Sequence, residues 1–225
     1  MVAAAKGYKC IVVMPRVRSM LERYLICRQF GADVHLFNPA RGAVDALNYV
    51  KKLCERDDYW WANQLGNEDN PGTHEMTTGP EIWEQADGNV DYFVHGIGTG
   101  GCIAGVGKYL KSKNPNCKIV ALEPTESRVH VGQTSSSHGI VGWSPGIHSQ
   151  FIEGVELTPE MLSDKPRGIV DEWGHVSTEE AVATARDVCT KQGLMCGPSS
   201  GASLKYAFDI AARQEAKGKH IVVVI

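Results

Sequence analysis

VDYFVHGIGTGGCIAG, residues 90–105, reads as a buried strand, a turn and the opening of a helix, with five glycines in the ten residues 96–105. Aromatic and β-branched residues such as Tyr92, Phe93 and Val94 suit a strand. The glycines after them let successive backbone N–H groups converge on one anion, and the helix that follows adds partial positive charge at the same point. The stretch predicts a phosphate cradle. Two other readings compete. In one, the glycines serve only close helix–strand packing; in the other, Gly96, Gly98 and Gly101 match GxGxxG, with Glu123 at the end of the next strand where a dinucleotide's ribose would need an acid. The dinucleotide reading suffers because earlier strand–helix units precede the motif, and because a second turn, GPSSG (197–201), follows a later strand. In a parallel sheet the carboxyl ends of the strands share one rim, so both turns can face one ligand.

Outward from this stretch, strand-like and helix-like segments alternate. Upstream, CIVVM (10–14) and ADVHLF (32–37) are strand-like. Val17, Met20, Leu21, Tyr24 and Leu25 recur at helical spacing, as do Ala43, Ala46, Leu47, Val50 and Cys54. YWWANQ (59–64) is expected to be a third strand, with the Gln64 amide at its buried end, and GNEDNPG (66–72) is the richest turn signal. The expected division is therefore a smaller α/β subdomain over 1–65 and a larger one over 66–225. Downstream come CKIVALE (117–123), an irregular region from Pro124 to Gly154, and a strand and helix between Trp173 and Gly193. In that last stretch Ser177 and Glu180 are spaced as a capping box and Gly193 as a terminator. LMCG (194–197) is expected as a strand, PSSG as a turn exposing Ser199 and Ser200 (Ser200 reading as an N-cap), residues 202–216 as a helix, and HIVVVI (220–225) as the last strand. Alternation of this kind predicts an α/β fold of parallel sheets covered by helices on both faces.

Composition narrows the function. With 23 basic and 26 acidic residues and no dense Lys/Arg block, nothing offers the counterion-releasing surface that nucleic acid needs. Apolar runs are too short to span a membrane. The seven cysteines form no CxxC pair, so neither a disulfide framework nor a zinc ribbon is expected, and most read as small buried apolar residues. The eight histidines show no HxH or HExxH spacing, so no metal site is expected. No GxSxG elbow is present either. Both ends read as cut: MVAAAKGYK begins as if inside a helix, and HIVVVI stops as if inside a sheet.

With those motifs in order, the chain resembles cysteine synthase (O-acetylserine sulfhydrylase) and cystathionine β-synthase, fold-type II pyridoxal-phosphate enzymes with the tryptophan synthase β-like fold. SMLER, FGADV, TTGPEIWEQ (77–85), GIGTGGCIAGVGKYLK, ALEPTES (121–127) and GPSSGA carry the resemblance over nearly the whole chain. It implies pyridoxal 5′-phosphate as cofactor. Gly98, Thr99, Gly100, Gly101 and Cys102 would hold its phosphate, Ser199 would meet its pyridine nitrogen, Gln64 would lie near the substrate, and Gly142 would belong to a segment that closes over it. A neutral hydroxyl at the ring nitrogen suits β-elimination and replacement. The implied reaction takes O-acetylserine and sulfide to L-cysteine and acetate, in a cytoplasmic homodimer, or in an organelle where a transit peptide has been lost. The lysine that anchors the family's cofactor lies in a serine–x–lysine motif, and Lys6, Lys9, Lys51 and Lys108 have no such context, so this chain is expected to lack a catalytic residue and to be inactive alone. A non-catalytic relative is the remaining alternative. Two departures stand out: Cys102 where the family usually has threonine, and HGIVGWSPGIHSQF (138–151), with Trp143 and Pro145, in the closing segment.

Overall fold

The computed structural model describes residues 1–39, 42–144, 146–153 and 168–225. Pro145, the end of the irregular region at Gly154, and the side chain of Ala43 lie outside the described residues. The chain divides into two compact units, Met1–Ala62 and Asn63–Ile225, so Gln64 belongs to the second.

The first unit contains α1 (Val2–Lys6), β1 (Ile11–Pro15), α2 (Leu21–Gln29), β2 (Asp33–Phe37) and α3 (Gly42–Leu53). β1 and β2 pair in parallel, Ile11 opposite Asp33 through Pro15 opposite Phe37. Its core is thin. Among its described residues only Met14 is buried, and Leu21, Leu25 and Ile26 of α2 stay more than half exposed.

The second unit holds α4 (Asp69–Met76), α5 (Thr78–Gln85), β3 (Tyr92–Gly96), α6 (Gly101–Lys113), β4 (Lys118–Pro124), α7 (Gln150–Glu153), β5 (Glu172–Val176), α8 (Thr178–Gln192), α9 (Pro198–Ala211) and β6 (Ile221–Val223). Its sheet runs β5-β4-β3-β6, all parallel. Side-chain alternation splits the core in two. Phe93, Ile119 and Ala121 pack with Ile103, Val106 and Leu110 of α6 on one face; Val94, Val120 and Leu122 pack with Ala181 of α8 and Ala202 and Ile210 of α9 on the other. Both faces are covered, as the α/β pattern requires.

Four expectations are corrected. YWWANQ forms no strand: residues 59–63 are irregular, Trp60 is exposed, and Asn63 has a left-handed φ of 43°. The Asn63 carbonyl accepts from the N–H groups of Gly66 and Asn67, a tight turn that leaves Gln64 exposed instead of at a buried strand end. GNEDNPG is only partly a turn, because Asp69 opens α4. Pro71 is tolerated there since first-turn N–H groups have no intrahelical partner anyway, and the Asn67 carboxamide oxygen accepts from the Asp69 N–H at 3.0 Å. LMCG is not a strand, with Met195 largely exposed. PSSG is the first turn of α9, with Gly197 at the N-cap and no side-chain cap bond, so Ser200 caps nothing. The cysteines are also less buried than expected: only Cys117 is fully so.

Candidate cofactor site

β3 ends at Gly96 and α6 starts at Gly101, leaving Ile97 to Gly100 as the turn between them. Each glycine is required by something nearby. Gly100 has φ 86°, a conformation that disfavours side chains, and a Cβ there would strike the Ser149 hydroxyl. A Cβ on Gly98 would lie 2.6 Å from the Gly142 carbonyl oxygen, and one on Gly101 would enter the Asn70 carboxamide.

The polar groups of the turn are arranged as donors. The Thr99 Oγ1 accepts from the Gly101 N–H at 3.2 Å and from Asn70 Nδ2 at 3.1 Å. A hydroxyl oxygen has two lone pairs, so its own proton is left to donate elsewhere. Among the described residues the N–H groups of Gly98, Thr99 and Gly100 make no hydrogen bond. They stand ahead of the N-terminus of α6, a 13-residue helix whose dipole favours an anion there. Free N–H groups, a hydroxyl proton and glycines whose Cβ atoms would block the turn together fit a phosphomonoester.

A cavity of about 490 Å³ opens at this turn. Gly98, Thr99, Gly100, Cys102, Gln64 and Gly142 all line it, so six of the eight residues singled out in the sequence meet there. Gly101 is buried at the first position of α6. Ser199 does not line this cavity. It lies on the same rim, however. Arg213, just past α9, bonds Glu172 at the start of β5 at 2.7 and 2.9 Å, whereas Gly201 in the first turns of α9 packs on Ala181 and Ala185 in the first half of α8. The opening of α9 is thereby fixed at the end of the sheet where the strands finish. Burial pushes the Cys102 thiol up to about 11, so it stays neutral and a weak donor.

Other residues line the cavity too, and of these Asn70, His74 and His95 carried no site signal in the sequence. Asn70, bonded to Thr99 and to the Gln64 carbonyl at 2.8 Å, links α4 to the turn. Trp143 rests on the backbone of Gly96, where any Cβ would collide with its indole; the Ser144 N–H donates to the Ile97 carbonyl at 2.7 Å and holds that segment against the turn. His95 and His74 also face the cavity. Behind it runs a buried relay. Glu123 Oε1 accepts from the His130 N–H at 3.0 Å and lies 2.8 Å from His130 Nδ1. His130 Nε2 accepts from the Ser149 N–H at 3.1 Å, which puts the ring proton on Nδ1, and the Ser149 hydroxyl donates to the Thr99 carbonyl at 2.7 Å. Glu123 is therefore engaged and 1% exposed, which removes the ribose acid that a dinucleotide site would have used.

A family model described as "Pyridoxal-phosphate dependent enzyme" matches residues 1–225. Cysteine synthase 3 of Caenorhabditis elegans is 35% identical over 221 residues, covering 98% of this chain and 61% of that protein. Cysteine synthase A of Escherichia coli (strain K12) is 36% identical over 228 residues, covering 100% and 68%. The crystal structure of O-acetyl serine sulfhydrylase isoform 3 from Entamoeba histolytica superposes with a TM-score of 0.84 at 36% identity, over 99% of this chain and 63% of that one. The chain thus spans roughly three fifths to two thirds of these relatives. Parallel sheets flanked by helices are the tryptophan synthase β-like architecture of those neighbours, and with the family model covering all of its residues, this chain belongs to the pyridoxal-phosphate dependent enzymes.

Proposed function

We propose that the cavity at the glycine turn binds pyridoxal 5′-phosphate, and that the protein to which this chain belongs catalyses β-replacement, forming L-cysteine from O-acetylserine and sulfide. The observation that carries this reading is the set of unengaged N–H groups of Gly98, Thr99 and Gly100 at the start of α6, beside a Thr99 hydroxyl whose oxygen is already satisfied. When bound, the cofactor supplies the electron sink for breaking the bond to the leaving group at the substrate's β-carbon.

The chain's own residues bind and orient. Gly98, Thr99, Gly100 and Cys102 hold the phosphate, with the thiol of Cys102 contributing less than a hydroxyl would, and Gly101 acts through its N–H bond to the Thr99 hydroxyl oxygen. Ser199 offers an uncharged hydroxyl from the same rim to the ring nitrogen. Gln64 and Gly142, both at the cavity, flank the substrate, and Trp143 excludes water from the strand end beneath it. The relay from Glu123 through His130 and Ser149 fixes the Thr99 carbonyl and so the direction of the turn's N–H groups.

No lysine lines this cavity among the described residues, and Lys108 of α6 is paired with Glu75 at 2.7 Å. On this reading the chain by itself holds the cofactor without a covalent anchor and without a lysine proton carrier. Titrating the purified chain with pyridoxal 5′-phosphate, then adding O-acetylserine and sulfide and assaying cysteine, tests both parts. Saturable binding without cysteine is expected. Cysteine formation would refute inactivity of the isolated chain, and failure to bind would refute the cofactor assignment.

A further inference from the structure

His95 comes from β3, one residue before the strand ends, on the same face as Phe93, against whose ring it stacks with centroids 5.9 Å apart. It lines the cavity together with His74, Thr99 and Cys102. Its Nδ1 is buried without a hydrogen-bond partner, so the ring meets a ligand through Nε2. The position of its proton follows from the cost of each tautomer. A bare Nδ1 leaves a lone pair unsatisfied, whereas a protonated Nδ1 would bury an orphaned N–H, the rarer and costlier arrangement. The proton therefore sits on Nε2. Burial, with His74 adding to it, holds the imidazole down to about 4, so at neutral pH His95 is an uncharged donor.

Among the described residues that line the cavity none is a lysine or arginine. An anion seated there meets neutral donors from these residues, and in a partly desolvated cavity each such donor weighs more than it would in water. The backbone N–H groups of the turn approach from the α6 end; His95 approaches from the strand.

We propose that His95 is a further binding residue for the phosphomonoester, donating a hydrogen bond from Nε2 to a phosphate oxygen beside those held by the glycine turn. The assignment rests on the reading of that turn as a phosphate site. Dissociation constants of three probes, inorganic phosphate, pyridoxal 5′-phosphate and pyridoxal, measured calorimetrically on the wild-type chain and on His95→Ala, test it. His95→Ala weakens phosphate and pyridoxal 5′-phosphate about tenfold, the loss of one good hydrogen bond, and leaves pyridoxal unchanged. His95→Leu, which fills more of the space without a donor, gives the same pattern and carries the comparison where His95→Ala does not fold. His95→Gln, which restores an N–H, recovers part of the loss. Unchanged affinity for both phosphorylated probes overturns the proposal, as does an equal loss for pyridoxal, which would mean that His95 acts only through the fold. A wild-type chain that binds neither phosphorylated probe overturns the phosphate site beneath it, whereas wild-type binding with an indifferent His95 overturns this inference alone.

Discussion

At Gly100 a φ of 86° coincides with the Ser149 hydroxyl standing where a Cβ would go. Gly100→Ala meets both obstacles. The left-handed backbone alone costs about 1–2 kcal/mol, and displacing Ser149 breaks its bond to the Thr99 carbonyl. The expected outcome is a lower melting temperature and at least about tenfold weaker binding of pyridoxal 5′-phosphate, read by calorimetry. His95 makes a second prediction at this scale. Its imidazole is near 4 when folded and near its ordinary value of about 6.5 when unfolded. Between those values the unfolded chain binds the extra proton, so stability falls as pH drops from about 6.5 toward 4, by roughly 3 kcal/mol at full extent, and is unaffected above that window. Denaturant melts of wild type and His95→Gln across pH 7.5 to 4.5 should diverge in this way; parallel curves would contradict it.

The elements around the site differ in how far their sequence foretold them. The β3–turn–α6 unit was legible because glycine, a β-branched strand and helical spacing all point the same way. So was α8, whose capping box between Ser177 and Glu180 and left-handed Gly193 are both present. YWWANQ was not, because its aromatic residues favour a strand only where a partner strand exists, and Asn63 turns the chain instead. Nor was PSSG: Pro198 suits the first turn of a helix as well as a loop, and only packing on α8 decides between them. The relay of Glu123, His130 and Ser149 was invisible for another reason, since its members are brought together by chain reversal and carry no spacing signal. Packing of α8 on α9 makes its own prediction. A Cβ on Gly201 would collide with the Ala181 carbonyl and lie 2.8 Å from the Ala185 side chain. Overpacking of this kind costs about 1–3 kcal/mol. Gly201→Ala should therefore destabilise the chain and, by shifting the first turn of α9, weaken the contribution of Ser199 more than that of Thr99. Comparing pyridoxal 5′-phosphate with inorganic phosphate separates the two: the former should lose affinity and the latter keep it.

For the molecule as a whole, the two units differ in core. The second buries residues on both faces of a four-stranded sheet, whereas the first has two strands and a single buried residue, Met14, among those described. Local opening is easiest where few apolar contacts are lost. Amides of β1 and β2 should exchange with deuterium at least about tenfold faster than those of β3 and β4; uniform protection across both units would show that the first has stability that its core does not explain. The cofactor groups do not depend on that contrast, because every residue assigned to the cofactor lies in the second unit.

The assignment of one ligand to two turns is tested most directly by amide chemical shifts during titration of the ¹⁵N-labelled chain with pyridoxal 5′-phosphate. Gly98, Thr99, Gly100 and Ser199 should shift together, along saturation curves with a common dissociation constant. Glycine-turn amides that do not move, or a Ser199 that stays fixed while they saturate, would contradict the account.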